Sequence, residues 1–378
     1  MLKLETKLTT NDKNRPSEPQ YFQTYQPDWQ KMESLAAKYS HLSHIVVVGN
    51  GGSINTFHGI YKALKVDHTP KVFLVDTNEP DFLNHVWNKI DPDKSLLLSI
   101  SKSGANTSEI ETTLFFHKIK YKIFLTSDHG ALREIANKDK NIDVIKHPEV
   151  SGRFSGLLEV GLLPSLLAGF SAHEMVASLN SETSLEQAWQ MSNILFDLEN
   201  KGIADLFIFN YSKKYSGFNL LIQQLIHETW GQVSHGLTAI FLDAPEAQHH
   251  TAQRVLGGHK NACVCFITSE HQNTRLEVPS EFSDINMRTG KLLEFSNLDL
   301  AKSLEAEYKA MQKASDNYNV PNMTLQTSLI DAKTVGEFIN FWQLVAYFGA
   351  TLRNINPYEQ PEVESIKDNS FKARFDHA

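Results

Sequence analysis

The chain has 378 residues, 41 % of them hydrophobic and 21 % charged, the balance of an ordinary globular protein with material for one large core and more naturally two. Its 36 basic and 44 acidic residues leave a formal charge of −8, and no basic patch interleaved with aromatics occurs, so nucleic acid is not an expected partner. The polar N-terminus MLKLETKLTTNDKN has no signal-peptide core, and the longest apolar stretch, 160–170, is broken by Pro164 and too short to span a bilayer, which predicts a cytoplasmic protein without a membrane partner.

Short apolar runs rich in Val, Ile, Leu and Phe alternate with longer amphipathic stretches, which predicts βαβ units and parallel sheets. HIVVVGNGGS, KVFLVDT, SLLLSISKSG, YKIFLTSD and IDVIKHP give five strands between residues 44 and 148, each nearly uniformly apolar as a strand buried on both faces must be. A helical stretch near 156–175 follows, and the polar segment SLNSETSLEQAW, 178–189, reads as a boundary. ADLFIFNY, LTAIFLDA, NACVCFIT and KLLEFSN then supply a second set of strands, before a long apolar helix over 334–353. Cys263 and Cys265 sit two apart in ACVCFIT, on one face of a strand, so they form neither a disulfide framework nor a zinc site. The expected architecture is α/β, in two similar units: an N-terminal extension over 1–38, a first domain over 39–178, and a second over 190–378 that ends in a helical tail.

The loop SKSGANTSE follows the third strand of the first set at its carboxyl end, where open α/β sheets bind ligands. Ser101, Ser103, Asn106, Thr107 and Ser108 offer hydroxyl and amide donors, Gly104 permits close backbone approach, and a helix starting near Thr107 would aim free N–H groups at an anion. The first strand ends comparably in GNGGS, 49–53. Gly and Ser are also ordinary turn formers, which accounts equally well for either loop alone; their joint placement favours one phosphate held between them. Neither loop has the pattern GxxxxGK[ST] or a full dinucleotide fingerprint, so a small phosphorylated ligand fits better than a nucleotide.

GNGGS, SKSG, SGRFS at 151–155, QLIHETWGQ at 224–232, AQHH at 247–250 and NPYEQPEVESIK at 356–367 occur in the order seen in glucose-6-phosphate isomerases, and over almost its whole length the chain resembles that family. The resemblance implies two sugar isomerase (SIS) domains and reversible aldose–ketose isomerisation of glucose 6-phosphate and fructose 6-phosphate through a cis-enediol, with no cofactor and no metal. It also implies a homodimer whose active site is shared, the histidine coming from the neighbouring subunit. Glu228 matches the family's base, a carboxylate that must reach both C1 and C2 from one face. Arg153 matches the arginine near the developing enediolate oxygens. His249, placed by counting back from LGGHK, and Lys367, from the C-terminal signature, match the groups that assist ring opening. The resemblance further implies phosphate and sugar contacts from Gly52, Ser53, Ser101, Lys102, Ser103, Asn106 and Thr107, with Gln224 one helical turn before Glu228.

The chain departs from the family pattern at several points. The phosphate loop carries one residue more between Gly104 and Glu109, which leaves open whether Asn106 or Thr107 faces the phosphate. Gln232 stands where the family has lysine, Ser151 replaces a glycine, and Glu359 and Glu362 replace an aspartate and a glycine. His227 and Glu228 begin like the zinc motif HExxH, but the next histidine is His235, eight residues after His227 rather than four, so the zinc reading fails on spacing. Two alternatives to the isomerase are a sugar-phosphate sensor on the same fold, and an isomerase that also takes mannose 6-phosphate. A sensor can dispense with the base, arginine and lysine, and all are present here.

Overall fold

The computed structural model describes residues 2–10, 14–67, 69–177, 179, 181–272, 274–288 and 290–375; Ser178 and Asn180, in the predicted boundary segment, lie outside them. Among the described residues twelve strands are formed: β1 Lys3–Thr6, β2 His44–Val48, β3 Lys71–Val75, β4 Ser95–Ser101, β5 Tyr121–Thr126, β6 Ile142–Lys146, β7 Asp205–Asn210, β8 Thr238–Asp243, β9 Ala262–Ser269, β10 Asn286–Met287, β11 Gly290–Lys291 and β12 Asn322–Thr327.

The five predicted runs of the first half form one parallel sheet in the order β3-β2-β4-β5-β6. The second sheet runs β1-β12-β9-β7-β8, parallel except for β1, whose Lys3–Thr6 pairs antiparallel with β12. One sequence expectation needs correction, and one strand was not foreseen. KLLEFSN is no sheet strand: Gly290 and Lys291 close a two-residue hairpin with β10, and Leu292–Phe295 is a turn of 3₁₀ helix with Leu293 and Phe295 exposed. The fourth parallel strand of that sheet is β12, NMTLQT.

Alternation along the strands explains how the layers meet. Ile45 and Val47 of β2, and Leu96, Leu98 and Ile100 of β4, point into a large central core; Val46, Val48 and Leu97 point the other way, into a smaller one with Leu83, Val86, Phe116 and Leu132 from outer helices. Leu206 and Ile208 of β7 face the same central core, while Phe207 and Phe209 face an outer cluster with Ala252, Val255 and Met311. Cys263 and Cys265 both face the central core, as their spacing requires, and are fully buried thiols.

Between the two inner faces lie the helices Asn55–Leu64, Glu182–Asn200, Asn219–Trp230 and Ala332–Leu352. The last is buried nearly all round, and its first turn is closed by Asp331, whose carboxylate accepts from the Thr334 N–H at 2.8 Å. A helix apolar on every side can only sit between two layers, and this one fills the space between the sheets. Among the described residues, no helix is long and apolar enough to cross a membrane.

Candidate active site

Two turns from the first sheet meet at its carboxyl edge. After β2 the chain turns sharply at Gly51, φ +53°, into a 3₁₀ turn Gly51–Ser53. The loop after β6 brings a second such turn, Gly152–Phe154, against it. A Cβ on Gly52 would stand 2.2 Å from the Gly152 carbonyl carbon and 2.5 Å from the Arg153 nitrogen, so only glycine allows the two backbones to touch. The SKSG loop follows β4 next door: Gly104 takes φ +58° with Thr126 beneath it, and the helix Thr107–Phe115 begins there.

Ser53, Ser101 and Gly104 are buried in these turns, Lys102, Asn106 and Thr107 are half-buried, and Ser103 is exposed. Asn106 Oδ1 accepts from the Ser108 hydroxyl at 3.0 Å, so its side chain is partly engaged within the loop. Glu109 ties the two loops together by accepting from the Asn50 N–H at 2.9 Å. Burial pushes its carboxyl up to about 7, against the opposing pull of the Ser101 hydroxyl, the Asn50 N–H and the Lys367 ammonium. His147, just past β6, is fully buried; its Nδ1 faces the Pro148 carbonyl at 2.7 Å. Burial is the main reason its imidazole is pulled down to about 4, and the Lys102 charge adds to it.

The second half of the chain supplies the carboxylate. Gln224 and Glu228 lie one turn apart on the helix Asn219–Trp230, on the shared face that their spacing predicted, with Gln224 Nε2 donating to Glu228 Oε1 at 3.0 Å. Asn55 Nδ2 in turn donates to Gln224 Oε1 at 3.0 Å, linking this face to the helix that follows GNGGS. The other Glu228 oxygen accepts from Arg153 Nη1 at 3.0 Å. The two partners differ in access: the Arg153 side chain is sealed, whereas that of Glu228 is 30 % exposed.

Arg153 commits its whole guanidinium to the protein. Nε donates to Thr229 Oγ1 at 2.9 Å, Nη1 also to Ser151 Oγ and Gln360 Oε1, and Nη2 to the carbonyls of Pro357 and Glu359 at 2.6 and 3.0 Å. Burial lowers its pKa and the Glu228 carboxylate works against that. Gln232, at the position where lysine was expected, reinforces the same junction by donating to the Glu228 and Glu359 carbonyls. Sequence reading had no signal for this role of Arg153 as a fastener between a turn at 152–154, a helix at 219–230 and a loop at 356–360.

Lys367 and His249 stand differently. Lys367 is exposed in the middle of the helix Pro361–Ala373 and pairs with Glu364 at 2.6 Å, yet its charge reaches Glu109 behind the SKSG loop. His249 is exposed at the end of a 3₁₀ turn, Glu246–His249, and among the described residues no hydrogen bond or ion pair joins it to Arg153, Glu228 or Lys367. His227 and His235 are occupied elsewhere: His227 Nε2 accepts from the Ala239 N–H at 2.9 Å, and His235 faces Glu199. Among the described residues no group of three or more His, Cys, Asp or Glu side chains is arranged to hold a metal ion.

No family model matches the chain. Among solved structures, a hypothetical protein from Thermus thermophilus superposes with a TM-score of 0.80 at 20 % identity, covering 91 % of this chain and 86 % of that one. A glucose-6-phosphate isomerase from Chlamydia trachomatis does so with a TM-score of 0.76 at 17 % identity, covering 91 % and 73 %. These likenesses bear out the expected α/β fold with mainly parallel sheets. The curated glucose-6-phosphate isomerase of Shouchella clausii is 26 % identical over 379 aligned positions, 91 % of this chain and 82 % of that protein. That of Methanocaldococcus jannaschii is 30 % identical over 355, covering 87 % of this chain and 84 % of its own. By this near full-length match, as by the ordered motifs that surround Arg153 and Glu228, the chain belongs to the glucose-6-phosphate isomerase family.

Proposed function

We propose that the protein interconverts glucose 6-phosphate and fructose 6-phosphate through a cis-enediol. The observation that carries the reading is the Glu228 carboxylate: half-exposed, held from two sides by Gln224 and by the sealed cation of Arg153, and placed beside the junction of the GNGGS and SGRFS turns. In the open-chain aldose Glu228 takes the C2 proton. The C–H electron pair becomes the C1–C2 double bond, and the carbonyl oxygen at C1 gains the charge. The O2 hydroxyl proton passes to O1, and returning the carbon proton to C1 while the C2 oxygen becomes the carbonyl completes the ketose, with atoms and electrons conserved and one carboxylate serving both carbons.

Arg153 has its donors spent on protein acceptors, so it acts on the enediolate as a fixed positive charge in a dry place rather than as a hydrogen-bond donor. Removal of a preorganised electrostatic group of this kind costs on the order of 10²- to 10³-fold in rate. Gly52, Ser53, Ser101, Lys102, Ser103, Asn106 and Thr107 hold the phosphate, and Gln224 orients the sugar and the base. Lys367 and His249 open the ring, Lys367 as donor and local charge. Because His249 stands exposed and unconnected to the Glu228 cluster, the reading gives it to the site of a second subunit in a homodimer.

The direct test is a coupled assay of fructose 6-phosphate conversion, wild type against Glu228→Gln. The expected result is turnover by the wild type and a loss of about 10²- to 10⁴-fold in the variant with sugar-phosphate binding retained. A wild type that binds the ligand yet forms neither glucose nor mannose 6-phosphate would make the protein a sensor.

A further inference from the structure

The geometry points to Glu111 and Arg374 as positioning residues for Lys367, a role that rests on the reading of Lys367 as a ring-opening group. Lys367 is the seventh of thirteen residues in the helix Pro361–Ala373, and no residue of that helix is buried; Ile366 and Phe371 stand exposed on it. A helix of this length without a packed face is marginal in water, so packing does not set where its middle lies. Its two ends do.

The leading end is held where the Arg153 guanidinium and Gln232 grip the carbonyls of Pro357 and Glu359 and the side chain of Gln360. The trailing end is held by Arg374, which directs Nε and Nη2 to the two oxygens of Glu111 at 2.6 and 3.0 Å, a two-point fork on one carboxylate. Among the described residues these are the hydrogen bonds that tie 361–375 to another element. Glu111 is itself oriented, because Asn78 Nδ2 donates to its Oε2 at 3.0 Å, and Arg374 holds its carboxyl below the ordinary range.

What lies at the other side of this pair gives it a function. Glu111 sits on the helix Thr107–Phe115, which opens at the SKSG loop and carries Glu109 two residues earlier. The pair therefore fixes the trailing end of the Lys367 helix to the element that carries the phosphate loop. At 1.5 Å per residue the two fastenings are about 20 Å apart, with Lys367 midway, so release of one end lets the ammonium swing while the other end stays in place. Fixing both ends sets the lysine's distance from a sugar whose phosphate rests on the same helix.

The test measures kcat and KM for fructose 6-phosphate in Arg374→Ala, Glu111→Gln, the charge-exchanged pair Glu111→Arg with Arg374→Glu, and Lys367→Ala, with thermal melts as a folding control. The single variants should melt within a few degrees of wild type, keep KM within about twofold, and lose about fivefold in kcat, the weight of one well-formed surface ion pair expressed as a rate. The exchanged pair should recover most of the loss, which assigns it to the ion pair itself, while the unchanged melts set it apart from the loss of a residue that merely supports the fold. Full kcat in the single variants, with Lys367→Ala slow, overturns the positioning role and leaves the lysine's role standing. A loss that the exchanged pair fails to recover also overturns it. Full kcat in Lys367→Ala removes the lysine from ring opening and the proposal with it.

Discussion

Two buried titratable groups, Glu109 behind the SKSG loop and His147 just past β6, have their pKa values moved in opposite directions by burial. Glu109 has its carboxyl raised from an ordinary 4.5 to about 7, so the folded protein holds a proton that the unfolded chain has released. Its contribution to stability is complete below pH 4.5 and is lost as the pH climbs through 7, by on the order of 3 kcal/mol. His147 is lowered from 6.5 to about 4, so its contribution is complete above pH 6.5 and is lost as the pH falls through 4. Between pH 4.5 and 6.5 the two slopes oppose each other. Urea denaturation across that window should show the stability of Glu109→Gln rising with pH relative to wild type, and that of His147→Gln falling relative to it. Profiles of both variants parallel to wild type would mean that neither group changes its proton on folding.

At the scale of elements, β1 is the shortest strand of the two large sheets and the one least visible in advance. Its four residues KLET are polar at alternate positions, but Leu4 and the preceding Leu2 are buried in the central core, and the Leu4 N–H donates to Gln187. Pairing with β12, more than three hundred residues away in sequence, covers an otherwise open edge. Removal of residues 1–8 should lower unfolding stability by about 3–5 kcal/mol, the burial of two leucines, read as a fall in the urea midpoint. An unchanged midpoint would mean that the strand is an ornament on a complete sheet. The strands that were legible from sequence, β2 to β9, are the apolar runs: β2, β4, β5, β7 and β9 are buried on both faces, where the apolar run is itself the physical requirement, and the edge strands β3, β6 and β8 are half-buried. β12 reads NMTLQT, four of its six residues polar, and derives its place from neighbours β1 and β9 rather than from composition. KLLEFSN has the apolar content of a strand without a sheet to receive it, and Asn297 at φ +59° ends the segment in a turn.

At the scale of the molecule, the candidate site is assembled where two sheets share one core, from turns at 50–53, 101–107 and 151–154, a helix at 219–230 and a loop at 356–360. Motif order made these pieces legible, and the four-residue spacing of Gln224 and Glu228 gave their common face. The bonds that join the pieces were not legible, since each of the acceptors on Arg153 beyond Ser151 lies at least 75 residues away along the chain. His249 is the piece the single chain leaves outside, and its ownership can be decided without a structure of the assembly. Glu228→Gln and His249→Gln should each be nearly inactive alone. If each site of a homodimer takes Glu228 from one subunit and His249 from the other, a mixed dimer holds one site with both native residues and one with neither. Random mixing makes half of the dimers mixed, so equal amounts of the two variants, unfolded together and refolded, should regain about a quarter of wild-type activity. If each subunit used its own histidine, every site in the mixture would carry one defect and the activity would stay at the level of the separate variants.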